Sequence, residues 1–172
     1  MKKLILYIAE SLDGFIAGPN HEMDWLFGDQ DYGFNDFLTQ IDTVLIGRKT
    51  YDFMKTAGEA DGIKGQINYV FTSTPQKFQS TEKLIFTSEN PAELWKKIRT
   101  TEGKDAWLAG GGEIAKPFIE QNLIGEYFLF VHPIILGKGL PLFKEISDRV
   151  DLKTIDVKSY SSGLVQIHLE RK

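Results

Sequence analysis

Ala106-Trp107-Leu108-Ala109-Gly110-Gly111-Gly112-Glu113-Ile114 carries a short apolar run into three consecutive glycines, then into a helix-like segment from Glu113 to Glu120. A strand that feeds a helix through glycines leaves bare backbone, where a ligand can approach the N–H groups of the helix N-terminus. That end holds about half a positive charge, so a phosphate suits it. The same triplet also serves as a turn that only closes a strand–helix connection, and a short glycine motif does not decide between the two.

Upstream, the design recurs. Thr43-Val44-Leu45-Ile46 predicts a strand that stops at Gly47, and Arg48-Lys49-Thr50-Tyr51-Asp52-Phe53-Met54 starts a helix. Two cations and a hydroxyl at a helix N-terminus make an anion cradle or a solvated basic turn. Asn68-Tyr69-Val70-Phe71 predicts another strand, ended by Thr72-Ser73-Thr74-Pro75, whose hydroxyls either meet a phosphate or form a turn before the proline. In an open α/β sheet such strand ends line one crevice. Three phosphate-ready ends there suggest an extended, multiply phosphorylated ligand.

Leu4 to Ala9 is a continuous apolar run, the pattern of a strand covered on both faces as in parallel sheets. Leu84 to Phe86 and Tyr127 to Val131 are further strands. Asn90-Pro91-Ala92-Glu93 predicts a capped helix start. Asp151 to Tyr160 and Leu164 to Arg171, joined by Ser161-Ser162-Gly163, predict a terminal antiparallel hairpin. The expected architecture is a mainly parallel sheet with helices on both faces.

Two segments lack a period. Ser11 to Trp25 is a glycine-punctuated loop, either functional or a surface excursion over Phe15 and Ile16. Leu136 to Phe143 is unusually apolar for a loop and, with Phe128 and Phe130 on one strand face, predicts a homodimer. Asp31 to Ile41 reads as a helix with Phe34, Phe37, Leu38 and Ile41 on one face. That spacing puts Asp31 on the buried side of the first turn, as a proton donor or as a helix cap.

With 172 residues the chain has the length of one domain, and 42% hydrophobic with 26% charged residues is ordinary for a globular protein. A net charge of −4 argues against nucleic acid as the main partner. No cysteine excludes disulfides, thiol nucleophiles and thiolate metal sites, which fits a reducing compartment such as the cytoplasm. His21, His132 and His168 show no metal-ligand spacing. Six apolar residues before Glu10 are too few for a secretory signal, and no stretch is long enough to span a membrane.

The ordered set of motifs resembles the dihydrofolate-reductase-like fold, above all the reductase domain of bifunctional riboflavin-biosynthesis enzymes. Ser11-Leu12-Asp13-Gly14-x-Ile16-Ala17 with Trp25 resembles that reductase's first loop. Val44-Leu45-Ile46-Gly47-Arg48-Lys49-Thr50 resembles the Gly-Arg-x-Thr turn of dihydrofolate reductase, Phe71-Thr72-Ser73-x-Pro75 its hydroxyl-bearing turn, and Leu108-Ala109-Gly110-Gly111-Gly112 its glycine turn. Pro133-x-x-Leu136-Gly137-x-Gly139-x-Pro141-Leu142-Phe143 is closer to the riboflavin branch.

The resemblance implies a three-layer α-β-α sandwich, mostly parallel with an antiparallel C-terminal strand. It implies an NADPH-dependent reductase of a small heterocyclic or imine substrate, with a dihydrofolate-reductase-type pterin reductase or a non-catalytic nucleotide-binding protein as alternatives. The implied cofactor residues are Ala9, Ile16, Ala17, Gly47, Arg48, Lys49, Thr50, Phe71, Thr72, Ser73, Ala109, Gly110, Gly111, Gly112, Glu113 and Ile114, with Asp31 catalytic. A cis peptide between Gly110 and Gly111 is implied too. On the substrate side Leu129 stands where dihydrofolate reductase has a threonine partner, and Tyr7 and Ala109 stand where riboflavin reductases carry Lys and Glu.

Overall fold

The computed structural model describes residues 1–172. Its central strand is β1 (Leu4–Ser11), flanked on both sides by parallel partners far along the chain, β6 (Asp105–Ala109) and β7 (Glu126–His132). Outward from β6 lie β3 (Ile41–Gly47), β4 (Ile67–Phe71) and β5 (Leu84–Thr87), all parallel. Outward from β7 come β10 (Val165–Arg171), antiparallel to β7, and β9 (Leu152–Ser159), antiparallel to β10. The sheet order is therefore β5-β4-β3-β6-β1-β7-β10-β9.

Alternation along β1 separates two cores. Leu4 and Leu6 pack with Leu94, Trp95 and Ile98 of α3 (Pro91–Ile98) and with Ala115, Phe118 and Ile119 of α4 (Gly112–Glu120). Ile5 faces the other way, toward Phe37 of α1 (Phe34–Thr39) and Tyr51 and Met54 of α2 (Arg48–Thr56). These layers form the expected three-layer α-β-α sandwich. Each fully buried Leu or Ile on these faces contributes about 1.5–3 kcal/mol of transfer free energy. Asn90 caps α3 as its sequence predicts, accepting from Ala92 N at 2.9 Å and Glu93 N at 3.3 Å. No helix is long and apolar enough to cross a membrane.

Four expectations are corrected. The first helix does not run from Asp31 to Ile41: Tyr32 and Gly33 take left-handed φ values of 53° and 84°, so α1 starts only at Phe34. Ile41 leaves the helix to pair with Asp105 in the sheet. The loops after β1 and β7 are not wholly irregular, because β2 (Phe15–Ala17) and β8 (Leu140–Pro141) pair antiparallel in a separate ribbon. Finally, the Gly110–Gly111 peptide is trans, since the chain holds no cis peptide. Gly111 is extended, at φ −84° and ψ −169°, and turns the strand into α4.

Candidate active site

Gly47 and Gly111 are the N-caps of α2 and α4, and neither helix end is capped by a side chain. Both ends border one cavity of about 560 Å³ at the C-terminal edge of the sheet. The first N–H groups of a helix have no partner four residues back, so two helices turn backbone donors toward the same space, although Ile114 N already donates to Gly111 O at 3.1 Å. The strand ends supply Gly47 to Thr50, Phe71 and Gly111 to Ile114, while the β2–β8 ribbon closes the far wall with Ile16, Ala17, Leu140 and Pro141.

Of the residues expected to bind cofactor, this cavity gathers Ile16, Ala17, Gly47, Arg48, Lys49, Thr50, Phe71, Gly111, Gly112, Glu113 and Ile114. Five lie outside its lining. Ala109 is buried in the core beneath the site, because it ends an interior strand. Gly110 lies behind Gly111, where a Cβ would stand 2.6 Å from Ile114 Cγ2. Thr72 turns its hydroxyl to Thr74 N at 3.3 Å, the local turn bond a threonine before Pro75 favours, and Ser73 is exposed. Ala9 belongs to a second cavity.

Three cations stand at the large cavity, each held by a carboxylate. Arg48 Nε donates to Asp52 at 2.9 Å, one helical turn on, and its guanidinium lies 4.4 Å from the Phe78 ring centroid. Lys49 donates to Glu113 at 2.8 Å and Lys144 reaches the same oxygen at 3.4 Å, so Glu113 links the first turns of both helices. The Lys49 hydrogen bond holds the Glu113 carboxyl below its ordinary range, against a smaller opposing effect of burial. His21, Met23, Phe53, Leu140, Pro141 and Lys144 also line the cavity and are not among the residues expected to bind cofactor. Two of them carry a signal in the sequence: Phe53 lies four residues after Lys49 and so on the same helix face, and Pro141 belongs to the motif that resembles the riboflavin branch.

The glycines divide by what surrounds them. A Cβ on Gly112 would meet the carbonyl oxygens of Leu142 at 2.6 Å and Pro141 at 2.8 Å, so its smallness lets the β8 segment pass. A Cβ on Gly111 would meet only the tip of Ile16, at 2.4 Å, and Gly111 is the glycine that leaves backbone open to the cavity.

The first loop is tied down. Asp13 accepts from Ser11 Oγ at 2.7 Å, Leu136 N at 3.1 Å and Gly137 N at 2.7 Å, and Leu142 N donates to Gly14 O at 2.9 Å. The Ser11 bond leads these contacts in holding the exposed Asp13 carboxyl below its ordinary value.

The second cavity, about 160 Å³, lies on the α1 side of β1 and β7. Tyr7, Phe34 and Phe130 wall it, with the Tyr7 and Phe130 rings 4.4 Å apart. Asp31 is its one carboxylate. The side chain is exposed rather than on the buried side of a helix, and both oxygens accept from Asn35 N at 3.2 Å. Leu129 does not face this space: alternation along β7 sends it into the opposite core, and Phe130 occupies the cavity side. His132 spends both ring nitrogens, Nε2 accepting from Phe27 N at 3.2 Å and Nδ1 donating to Phe130 O at 3.1 Å, while burial lowers its pKa. Burial also pushes the Tyr7 hydroxyl up, so the phenol stays protonated.

A family model described as the RibD C-terminal domain matches residues 2–166. The chain belongs to that family. It is 39% identical to the uncharacterized protein YyaP of Bacillus subtilis, over 96% of this chain and 93% of that one. YwjB of the same organism, also uncharacterized, is 35% identical over 99% and 98%. A crystal structure of a putative riboflavin biosynthesis protein from Shewanella sp. PV-4 superposes with a TM-score of 0.84 at 25% identity, covering 99% of both chains. Dihydrofolate reductase from Enterococcus faecalis, complexed with NADP(H) and RAB-propyl, reaches a TM-score of 0.70 at 17% identity over 99% of this chain and 96% of that one, and shares the fold.

Proposed function

We propose that this chain is an NADPH-dependent reductase that delivers hydride to the C=N or C=O carbon of a small heterocycle. The observation that carries the reading is the convergence of two side-chain-free helix N-termini, three cations and an open glycine backbone on one cavity of about 560 Å³, in a chain of a family that includes reductase domains. Arg48, Lys49 and Thr50 with the N-terminus of α4 would hold the phosphates, and Ile16, Ala17 and the ribbon would hold the nicotinamide end toward the second cavity. When bound, NADPH supplies two electrons and a hydrogen nucleus to the acceptor carbon and leaves as NADP⁺. The freed electron pair on nitrogen or oxygen then takes a proton, for which Asp31 is the side chain in place.

The test is direct. Titration of the purified chain with NADPH should quench its tryptophan emission and saturate, and a panel of pyrimidines and pterins should stimulate NADPH oxidation. Saturable binding without turnover of any panel member would favour a nucleotide-binding protein without chemistry. No binding would end the dinucleotide reading.

A further inference from the structure

Between β2 and α1 the chain from Gly18 to Gly33 forms neither strand nor helix, yet it serves both cavities. His21 and Met23 line the large one, and Leu26, Phe27, Asp31 and Tyr32 line the small one. We propose that His132 is a positioning residue: its neutral imidazole pins this segment through the Phe27 N–H and the Trp25 ring, and its protonation releases the segment from both cavities together. The inference goes beyond the reductase reading and rests on it only in the cofactor arm of the test.

The segment has few ties to the body of the protein. Its backbone bonds are local, from Gly18 N to Glu22 O, His21 N to Gly18 O and Leu26 N to Met23 O. The Phe27 N–H is the one backbone donor in it that reaches outside, 3.2 Å from His132 Nε2. A second tie lies at its far end, where the Tyr32 hydroxyl bonds Ser162 Oγ at 2.8 Å. The Phe27 and Trp25 rings both pack on the imidazole, with centroids 4.8 and 5.2 Å away and the indole edge-on. Trp25 Nε1 is buried without a hydrogen-bond partner, so packing on His132 holds the indole in place of a bond of its own.

Neutrality is essential to the pin. Nδ1–H is committed to Phe130 O at 3.1 Å, which leaves Nε2 as the nitrogen with the lone pair. A second proton would turn Nε2 into a donor facing the Phe27 N–H, two donors with no acceptor between them. The imidazolium and the bond therefore exclude each other. His132 is 3% exposed, and no carboxylate bonds its ring to balance a new charge. The titratable groups around it are Asp31, Tyr7 and Tyr32, which share the small cavity, and Glu10 on β1. Ser11 is the register partner of His132, so the Glu10 side chain points to the other face of the sheet. Burial lowers the imidazole pKa against the smaller pull of the Phe130 and Glu10 carbonyls, so the pin holds at neutral pH and opens in acid.

The experiment follows tryptophan emission of the full chain, without ligand, from about pH 7.5 to about pH 4.5, beside His132→Gln and His132→Phe. Glutamine offers a neutral amide oxygen in place of Nε2 and does not titrate, whereas phenylalanine keeps a ring and has no acceptor. The wild type should show a red shift with its midpoint below 6.5, as Trp25 meets water. His132→Gln should keep the neutral-pH emission throughout, and His132→Phe should be red-shifted at every pH. NADP⁺ affinity should fall about fivefold more in the wild type than in His132→Gln over the same interval, the value of about one hydrogen bond. The cofactor phosphate, His21 and Glu10 titrate in both proteins and cancel in that comparison. A wild type without the step, the same step in His132→Gln, or equal losses of NADP⁺ affinity overturns the inference. Failure of NADP⁺ to bind at any pH would strike the reductase reading, and the emission profiles would still decide the role of His132.

Discussion

Replacing Glu10 with glutamine should change how stability depends on pH. Glu10 lies near the end of β1 in register with Val131, is 7% exposed, and its Oε2 has no hydrogen-bond partner. Burial pushes its carboxyl from 4.5 up to about 7. The native state therefore holds this proton more tightly than the unfolded chain does. The associated stability is fully present below pH 4.5 and is lost as pH rises through about 7. At about 1.36 kcal/mol per pH unit the gap sets an upper value of about 3 kcal/mol, and solvent reaching the strand end reduces the expected difference to about 2. Glutamine keeps the shape and does not titrate. Urea denaturation of both proteins at about pH 5 and about pH 8.5 should show the wild type losing about 2 kcal/mol relative to Glu10→Gln, or about 4–8 °C in Tm. His132 titrates with the opposite sign, because burial lowers its pKa, but it is common to both proteins and cancels. Parallel pH profiles would refute the argument that this carboxyl sits in a dry, unpartnered setting.

Arg48→Ala should weaken NADPH more than NADH by about 1.5–3 kcal/mol, toward the lower end because Asp52 already occupies the guanidinium; equal losses in a fluorescence titration would remove Arg48 from the adenosine phosphate. Asp31→Asn should preserve NADPH affinity and lower turnover about 10²–10⁴-fold, whereas unchanged kcat would leave Asp31 with its bond to Asn35 alone. Gly112→Ala should destabilise by about 1–3 kcal/mol through its clash with the Leu142 and Pro141 carbonyls, while Gly111→Ala should fold normally and bind cofactor weakly; a Tm ranking in the reverse order would contradict the packing described. A homodimer is expected through the exposed apolar segment after β7, where Ile135 is 70% and Phe143 43% exposed; Phe130, at 4%, is used up inside the protomer. Light scattering that gives a monomer mass at every concentration would sink it.

The parallel core was legible because interior strands such as Leu4 to Ala9 and Thr43 to Ile46 must be apolar on both faces. Asn90-Pro91 announced α3 through cap chemistry that needs no tertiary context. The start of α1 was not legible: a 3.6-residue period runs straight through Tyr32 and Gly33, and only their left-handed φ values break it. Phe130 rather than Leu129 faces the small cavity because the two cores lie on opposite sides of β7, and an all-apolar strand does not label its own faces. Lys144 and His21 reach the large cavity by way of the loops, where long-range contacts such as Asp13 to Gly137 set the path.

Because β1 pairs only with β6 and β7, the first strand made is among the last to find its partners. On a ribosome it must wait through about a hundred residues of synthesis before either neighbour emerges. The contacts of Asp13 with Leu136 and Gly137, and of Gly14 with Leu142, extend the wait to the ribbon that walls the large cavity. A fold so dependent on distant pairings condenses slowly. A nascent chain stopped before Leu140 would have both glycine-capped helix ends in its sequence but only Ile16 and Ala17 of the far wall, without the β8 partner that pairs with them.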